Sequence, residues 1–160
     1  MTQRILFVCL GNICRSPTAE AVFRALAGAA GLPVVVDSAG TGGWHVGEPP
    51  HPPMVAAAAR RGYDLRALRA RQLVAADFTR FDHVLVMDGS NLRDARALQA
   101  RAGGQGARPR LFLDHAPGCG FRDMPDPWYS GDFDQTLDLV EAASNGLIAW
   151  LAAGGQPPGA

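Results

Sequence analysis

The chain has 160 residues, 48% of them apolar, with 15 lysines and arginines against 15 aspartates and glutamates. That length suffices for one domain with a real core and leaves little room for a second, while the balanced charge supplies no global field to draw nucleic acid or an anionic membrane. The early apolar run, Ile5 to Leu10, is too short for a signal-peptide core or a membrane span; a cytoplasmic protein is expected, and its 3 cysteines are too few for a disulfide framework.

In chain order, Arg4 to Val8 reads as a buried strand. Ser16 to Ala30 follows as a helix, with Ser16 as cap, Pro17 at the first helical position and Gly31 as stop. Val34 to Val36 is a second strand, ending in the loop "DSAGTGGWHVGEPPHPP", whose glycines and prolines disfavour regular structure. A helix from Pro53 to Arg61 stops at Gly62. The segment "FDHVLVMDGSNLRDARALQA" repeats the opening pattern: strand His83 to Met87, a cap at Ser90, and a helix to about Ala102. "RLFLD" supplies a fourth strand, "HAPGCGFRDMPDPWYSGD" a long loop, and Phe133 to Ala153 the last helix. The domain is thus expected to span residues 1–153, with 154–160, "GGQPPGA", as a flexible tail.

Strands alternating with helices predict an α/β fold of three layers, a parallel sheet with helices on both faces joined by right-handed crossovers. Ligands in such folds sit beyond the carboxyl ends of the strands, where strand order reverses. Cys9 lies at that end of the first strand.

The turn "CLGNICRSP" reads as chemistry. Between Cys9 and Arg15 the backbone must curl so that successive N–H groups point inward against a helix N-terminus, making an anion-binding concavity from Leu10, Gly11, Asn12, Ile13 and Cys14. Gly11 is expected to permit the bend. Such a field favours the thiolate of Cys9, the nucleophilic form of cysteine. Arg15, at the far lip, can offer parallel N–H donors to two oxygens of a tetrahedral dianion. The loop is therefore suited to holding a phosphate against sulfur.

"VCLGNICRSPTAE" resembles the active-site loop of the low-molecular-weight protein tyrosine phosphatases, with their pattern of Cys, five residues, Arg, then Ser or Thr. The likeness continues through "DSAGT", "WHVG", "ARQL", "FDHVLVMDGSNL" and "DPWYSGDF" in the family's order. The resemblance implies a sheet of four parallel strands in the order 2-1-3-4. It implies Cys9 as nucleophile, Arg15 as phosphate clamp, Asn12 as the residue holding the loop's shape, and Ser16 as a hydroxyl donor to the Cys9 sulfur. In some relatives a histidine just before "ARQ" supports the loop asparagine; Leu68 stands at that position here, so Asn12 must find support elsewhere.

Thiolate attack on a phosphate ester expels an alkoxide or phenoxide, which calls for a proton donor. Asp126, in "DMPDPWY", emerges at the same sheet edge as Cys9, and Pro127 stiffens its loop; the resemblance implies the same residue as general acid. Asp123 is the local competitor. Trp44, Trp128 and Tyr129 can wall a slot above the phosphate or merely cover an apolar edge, and the resemblance favours substrate contact. Asp88, just past the third strand, can orient the site or cap the following helix. Cys14 is placed either to form a disulfide with Cys9 on oxidation or to fill the loop's underside.

Other chemistries fall away. "GTGGWHVG" has no helix after it and the wrong spacing for a dinucleotide loop. His45, His51, His83 and His115 lack metal-ligand spacing, so neither metal nor cofactor is expected. An arsenate reductase of this fold would need further cysteines near the third strand, where only Val84, Leu85, Val86 and Met87 stand. A non-catalytic phosphopeptide-binding module would gain nothing from having both Cys9 and Asp126. The expected partner is a phosphotyrosine-containing protein, with inorganic phosphate as product. Relatives that prefer phosphoarginine carry threonine where this chain has Ile13, which favours phosphotyrosine.

Overall fold

A computed structural model describes residues 1–155. Strands β1 (Gln3–Cys9), β2 (Val34–Gly40), β3 (His83–Val86) and β4 (Arg110–Leu111) form one parallel sheet in the order β2-β1-β3-β4. The helices are α1 (Arg15–Ala29), α2 (Pro52–Arg60), α3 (Asp77–Arg80), α4 (Gly89–Arg101), α5 (Pro127–Ser130) and α6 (Phe133–Ala152). The fold is the α/β architecture that the sequence led us to expect.

The central strand explains the layering. Ile5, Leu6, Phe7 and Val8 are all fully buried, as a strand covered on both faces requires. Because side chains alternate across a strand, Ile5, Phe7 and Cys9 join one apolar cluster with Phe23 of α1 and Leu137 and Val140 of α6. Leu6 and Val8 join the other, with Phe78 of α3 and Leu92 and Ala95 of α4. Phe7 meets Phe23 and Phe112 edge-on, with ring centroids 5.7 and 4.8 Å away.

Several boundaries move, for identifiable reasons. Helix α1 begins at Arg15 with Cys14 as its cap residue, so Ser16 lies inside the first turn and spends its hydroxyl on the loop. Strand β2 runs on to Gly40, because "DSAG" pairs with Leu6–Cys9; this partner overrides the local glycine signal. Helix α4 is capped by Asp88, whose side chain accepts from Asn91 N–H, and Ser90 falls within the helix. "RLFLD" contributes only two residues to the sheet before turning into a 3₁₀ helix, Phe112–His115. The long loop contains α5, started by the Asp126–Pro127 pair. The expected tail falls largely on residues 156–160, outside the described ones, whereas Gly155 N–H donates to Trp150 O.

Strand order reverses between β1 and β3, since β2 lies on one side of β1 and β3 on the other. The segments leaving the carboxyl ends of β1 and β3 therefore flank a crevice. Cys9 ends β1 and Asp88 follows β3.

Candidate active site

The loop Leu10–Cys14 leaves β1 and returns as α1. Asn12 carries the left-handed residue of this turn, with φ of 57°, a conformation asparagine tolerates better than most side chains. Gly11 plays a different part from the one expected: the His45 ring packs so closely that a Cβ there would lie 3.1 Å from its Cδ2.

Asn12 is 2% exposed and does not line the pocket; its side chain points beneath the loop. Its Nδ2 donates to Ser16 Oγ at 2.7 Å and Ser38 Oγ at 3.0 Å, and its Oδ1 accepts from Arg71 N–H at 3.0 Å. Ser38 Oγ donates onward to Glu20 Oε1 at 2.7 Å, and Arg24 holds the other Glu20 oxygen at 2.7 Å. This network supports the loop where Leu68 cannot, since Leu68 packs against the apolar core.

The network also directs a proton. Ser16 Oγ accepts from Asn12, so its own O–H is free for Cys9 Sγ at 3.1 Å, nearer than its other acceptor, Ala39 O, at 3.5 Å. The backbone N–H of Asn12 donates to the same sulfur at 3.3 Å. The Ser16 hydroxyl and the Asn12 amide thus converge on one sulfur.

Arg15 is 3% exposed. Its Nη1 donates to Asp88 Oδ2 at 2.7 Å and to Met124 O at 3.0 Å, and its Nη2 lies 3.5 Å from Asp126 Oδ2. Burial opposes its charge, but Cys9, Asp88 and Asp126 outweigh burial and hold the guanidinium above its ordinary range. Asp88 reaches both elements, because Oδ2 accepts from Arg15 while Oδ1 caps α4. Among the described residues, Arg15 Nε has no partner.

The pocket over Cys9 measures about 110 Å³. Leu10, Gly11, Ile13, Cys14, Arg15 and Asp126 line it. Asp126 Oδ1 accepts from Trp128 N–H at 3.0 Å, which fixes the carboxyl at the start of α5. Asp123 lies outside this pocket and accepts from Gly89 N–H at 2.9 Å. Trp44, Trp128 and Tyr129 are exposed and line the mouth. The Trp44 ring folds over Gly42, where a Cβ would meet it at 1.8 Å, and Trp128 rests on His51, with ring centroids 4.7 Å apart.

Cys14 also lines the pocket, and burial, reinforced by neighbouring Cys9, pushes its thiol up to about 12. Cys119 does not line the pocket; its thiol donates to Phe121 O at 3.2 Å. Among the described residues, no group of three or more histidine, cysteine or acidic side chains is arranged to hold a metal ion.

Sequence reading missed Ser38, Glu20 and His45. The signal for Glu20 was its spacing: it follows Ser16 by four positions, on the same face of α1 as the loop support. His45, considered only as a metal ligand, lines the pocket beside Gly11.

Residues 4–156 match the family model of the low molecular weight phosphotyrosine protein phosphatases. The chain is 48% identical to a low molecular weight protein-tyrosine-phosphatase of Streptomyces coelicolor over 93% of both chains. It superimposes on the crystal structure of YfkJ from Bacillus subtilis with a TM-score of 0.90, 37% identity and 98% coverage of each chain. The crystal structure of drosophila arginine phosphatase gives a TM-score of 0.86 at 27% identity, over 92% of this chain and 96% of that one. By sequence and by fold, this chain belongs to the low molecular weight phosphotyrosine protein phosphatase family, whose members are cysteine-dependent enzymes.

Proposed function

We propose that the protein hydrolyses phosphotyrosine in protein substrates through a phosphocysteine at Cys9. The observation carrying this reading is the joint geometry of Cys9, Arg15 and Asp126: a sulfur with two hydrogen-bond donors, a buried guanidinium and a fixed carboxyl, all on one small pocket. Arg15 Nη1 is committed to Asp88 and Met124, while Nε has no partner among the described residues and Nη2 has only its 3.5 Å contact with Asp126, so this edge can grip two phosphate oxygens. The amides of the loop, Leu10 to Cys14, supply further donors around the phosphate.

The Cys9 thiolate attacks phosphorus as the ester P–O bond breaks, and Asp126, entering as the carboxylic acid, gives its proton to the departing phenolic oxygen. Water then attacks the phosphocysteine, Asp126 takes its proton, and the S–P bond breaks to release inorganic phosphate and the thiolate. Ser16 Oγ, 3.1 Å from the sulfur, stabilises the leaving thiolate in this second step. Residues 1–153 form the catalytic unit in this reading. A mechanism that needs a free thiolate at Cys9 suits a reducing, cytoplasmic setting.

Substrate choice follows from the walls. Ile13 presents an apolar β-branched surface inside the pocket, and Trp44, Trp128 and Tyr129 extend it outward, a slot for a flat aromatic ring. In this reading the shorter phosphoserine falls short of the sulfur. Hydrolysis of p-nitrophenyl phosphate in metal-free buffer tests the chemistry, and matched peptides test the substrate. The reading expects higher kcat/KM for phosphotyrosine than for phosphoarginine, phosphoserine or phosphothreonine, with Ile13→Thr narrowing the phosphoarginine gap alone. Equal or better turnover of phosphoarginine overturns the substrate assignment.

A further inference from the structure

A second cleft, of about 420 Å³, adjoins the Cys9 pocket and shares Leu10, Arg15, Asp126 and Tyr129 with it. Its far wall is the start of α4 and the loop before Pro125, where Arg93 and Arg122 converge. A Cβ built on Gly89 would lie 3.7 Å from Arg93 Nη1 and 3.8 Å from Arg122 Nη1, so both guanidinium groups face one spot. Among the described residues, neither has a carboxylate within the 4.0 Å of an ion pair.

Each carboxylate of the cleft accepts from a backbone N–H. Asp88 holds Arg15 and Asn91 N–H, Asp126 holds Trp128 N–H, and Asp123 accepts from Gly89 N–H at 2.9 Å, with its Oδ1 also 3.7 Å from that Gly89 position. Two unpaired cations thus flank the exit of a pocket that takes a phosphorylated side chain. Arg93 sits about one and a half helical turns from the cap at Asp88, and an extended peptide advances about 3.5 Å per residue. A side chain within a few residues of the phosphotyrosine can therefore reach it.

We infer that Arg93 and Arg122 form an anion subsite that selects substrates carrying an acidic side chain close to the phosphotyrosine. The inference rests on the reading of the Cys9 pocket as a phosphotyrosine site, and it assigns the two arginines a part in specificity rather than in chemistry. Neither touches the reacting atoms, so their effect falls on KM and fades with salt.

The test uses the full chain and phosphotyrosine peptides with neutral flanks, compared with peptides bearing one glutamate, glutamine or lysine at successive positions on either side. Glutamate at one or two adjacent positions is expected to raise kcat/KM about five-fold over glutamine, mostly through KM, the worth of a partly exposed ion pair. Phosphoserine at the same position should gain at least as much, which would extend the subsite to a second phosphoryl group. Arg93→Glu with Arg122→Glu should abolish the glutamate gain and transfer it to lysine at that position. A glutamate-to-glutamine ratio near one everywhere, a gain that survives the double reversal, or a preference for lysine in the unmodified protein overturns the subsite while leaving the phosphatase reading intact. Failure to turn over any phosphotyrosine peptide, neutral ones included, overturns both.

Discussion

Asn12→Ala is the substitution with the most calculable outcome. It removes the bonds from Nδ2 to Ser16 and Ser38 and the bond from Arg71 N–H to Oδ1, three at about 1 kcal/mol net each. It also places alanine at φ of 57°, which costs about 1 kcal/mol more. The sum, about 4 kcal/mol, is a large fraction of the roughly 5–15 kcal/mol that hold a domain folded. Asn12→Gly loses the same bonds without the backbone strain and should be milder by about 0.5–1 kcal/mol. Urea unfolding followed by tryptophan fluorescence measures both as midpoint shifts at unchanged slope. Turnover should fall in both, because Ser16 loses the partner that directs its proton to Cys9. A loss under about 1 kcal/mol for Asn12→Ala, or a glycine variant clearly worse than the alanine one, would refute the assignment of Asn12 as the buried brace.

Asp126→Ala should lower kcat by roughly 10²–10⁴, the usual worth of a positioned general acid, with a smaller loss on substrates whose leaving group needs no proton; the reverse ranking of Asp126→Ala and Asp123→Ala would defeat the assignment. Mild peroxide should inactivate the enzyme reversibly: Cys9 is oxidised to the sulfenic acid as peroxide is reduced, and the Cys14 thiol condenses with it, releasing water. In Cys14→Ser the loss should become irreversible, and peptide mapping that finds no Cys9–Cys14 disulfide in the unmodified protein would exclude this route. Stability should decline in acid at the far end of the sheet, where Arg110 donates to His115 Nε2 at 2.7 Å and to His83 Nδ1 at 3.3 Å. Burial, then Arg110 and His83, push His115 down to about 4, so the unfolded chain binds the extra proton once pH falls below about 6.5. The resulting loss between about pH 6.5 and 4, discounted for the partial exposure of the ring, is about 1–2 kcal/mol. His115→Gln should flatten that part of the pH-stability curve, and an unchanged slope would contradict it.

The sequence was most informative where chemistry is local. Cys9, Arg15 and Ser16 lie within one strand-to-helix turn, and their meeting follows from the geometry of that turn. The Asp126–Pro127 pair revealed a stiff loop and, in the structure, a helix start. What escaped was carried by contacts between distant segments. Ser38 reaches Asn12 across 26 positions and Glu20 across 18, pairings that no local pattern encodes. The same cause hid the end of β2, where pairing with β1 outweighs the glycines. Asp88 could be read only as cap or orienter because its two oxygens serve different elements, one accepting from Arg15 and the other from Asn91 N–H.

The central claim is a covalent intermediate on Cys9, and trapping it is the most direct test. Without Asp126, p-nitrophenyl phosphate still expels its leaving group, but the water that follows lacks a base, so the phosphoenzyme should accumulate. Asp126→Ala protein mixed with p-nitrophenyl phosphate, quenched in acid and mapped by mass spectrometry, should carry one added phosphoryl group on the peptide containing Cys9, and none after Cys9→Ser. Turnover that continues in Cys9→Ser, or a phosphoryl group found on any other residue, would contradict the account.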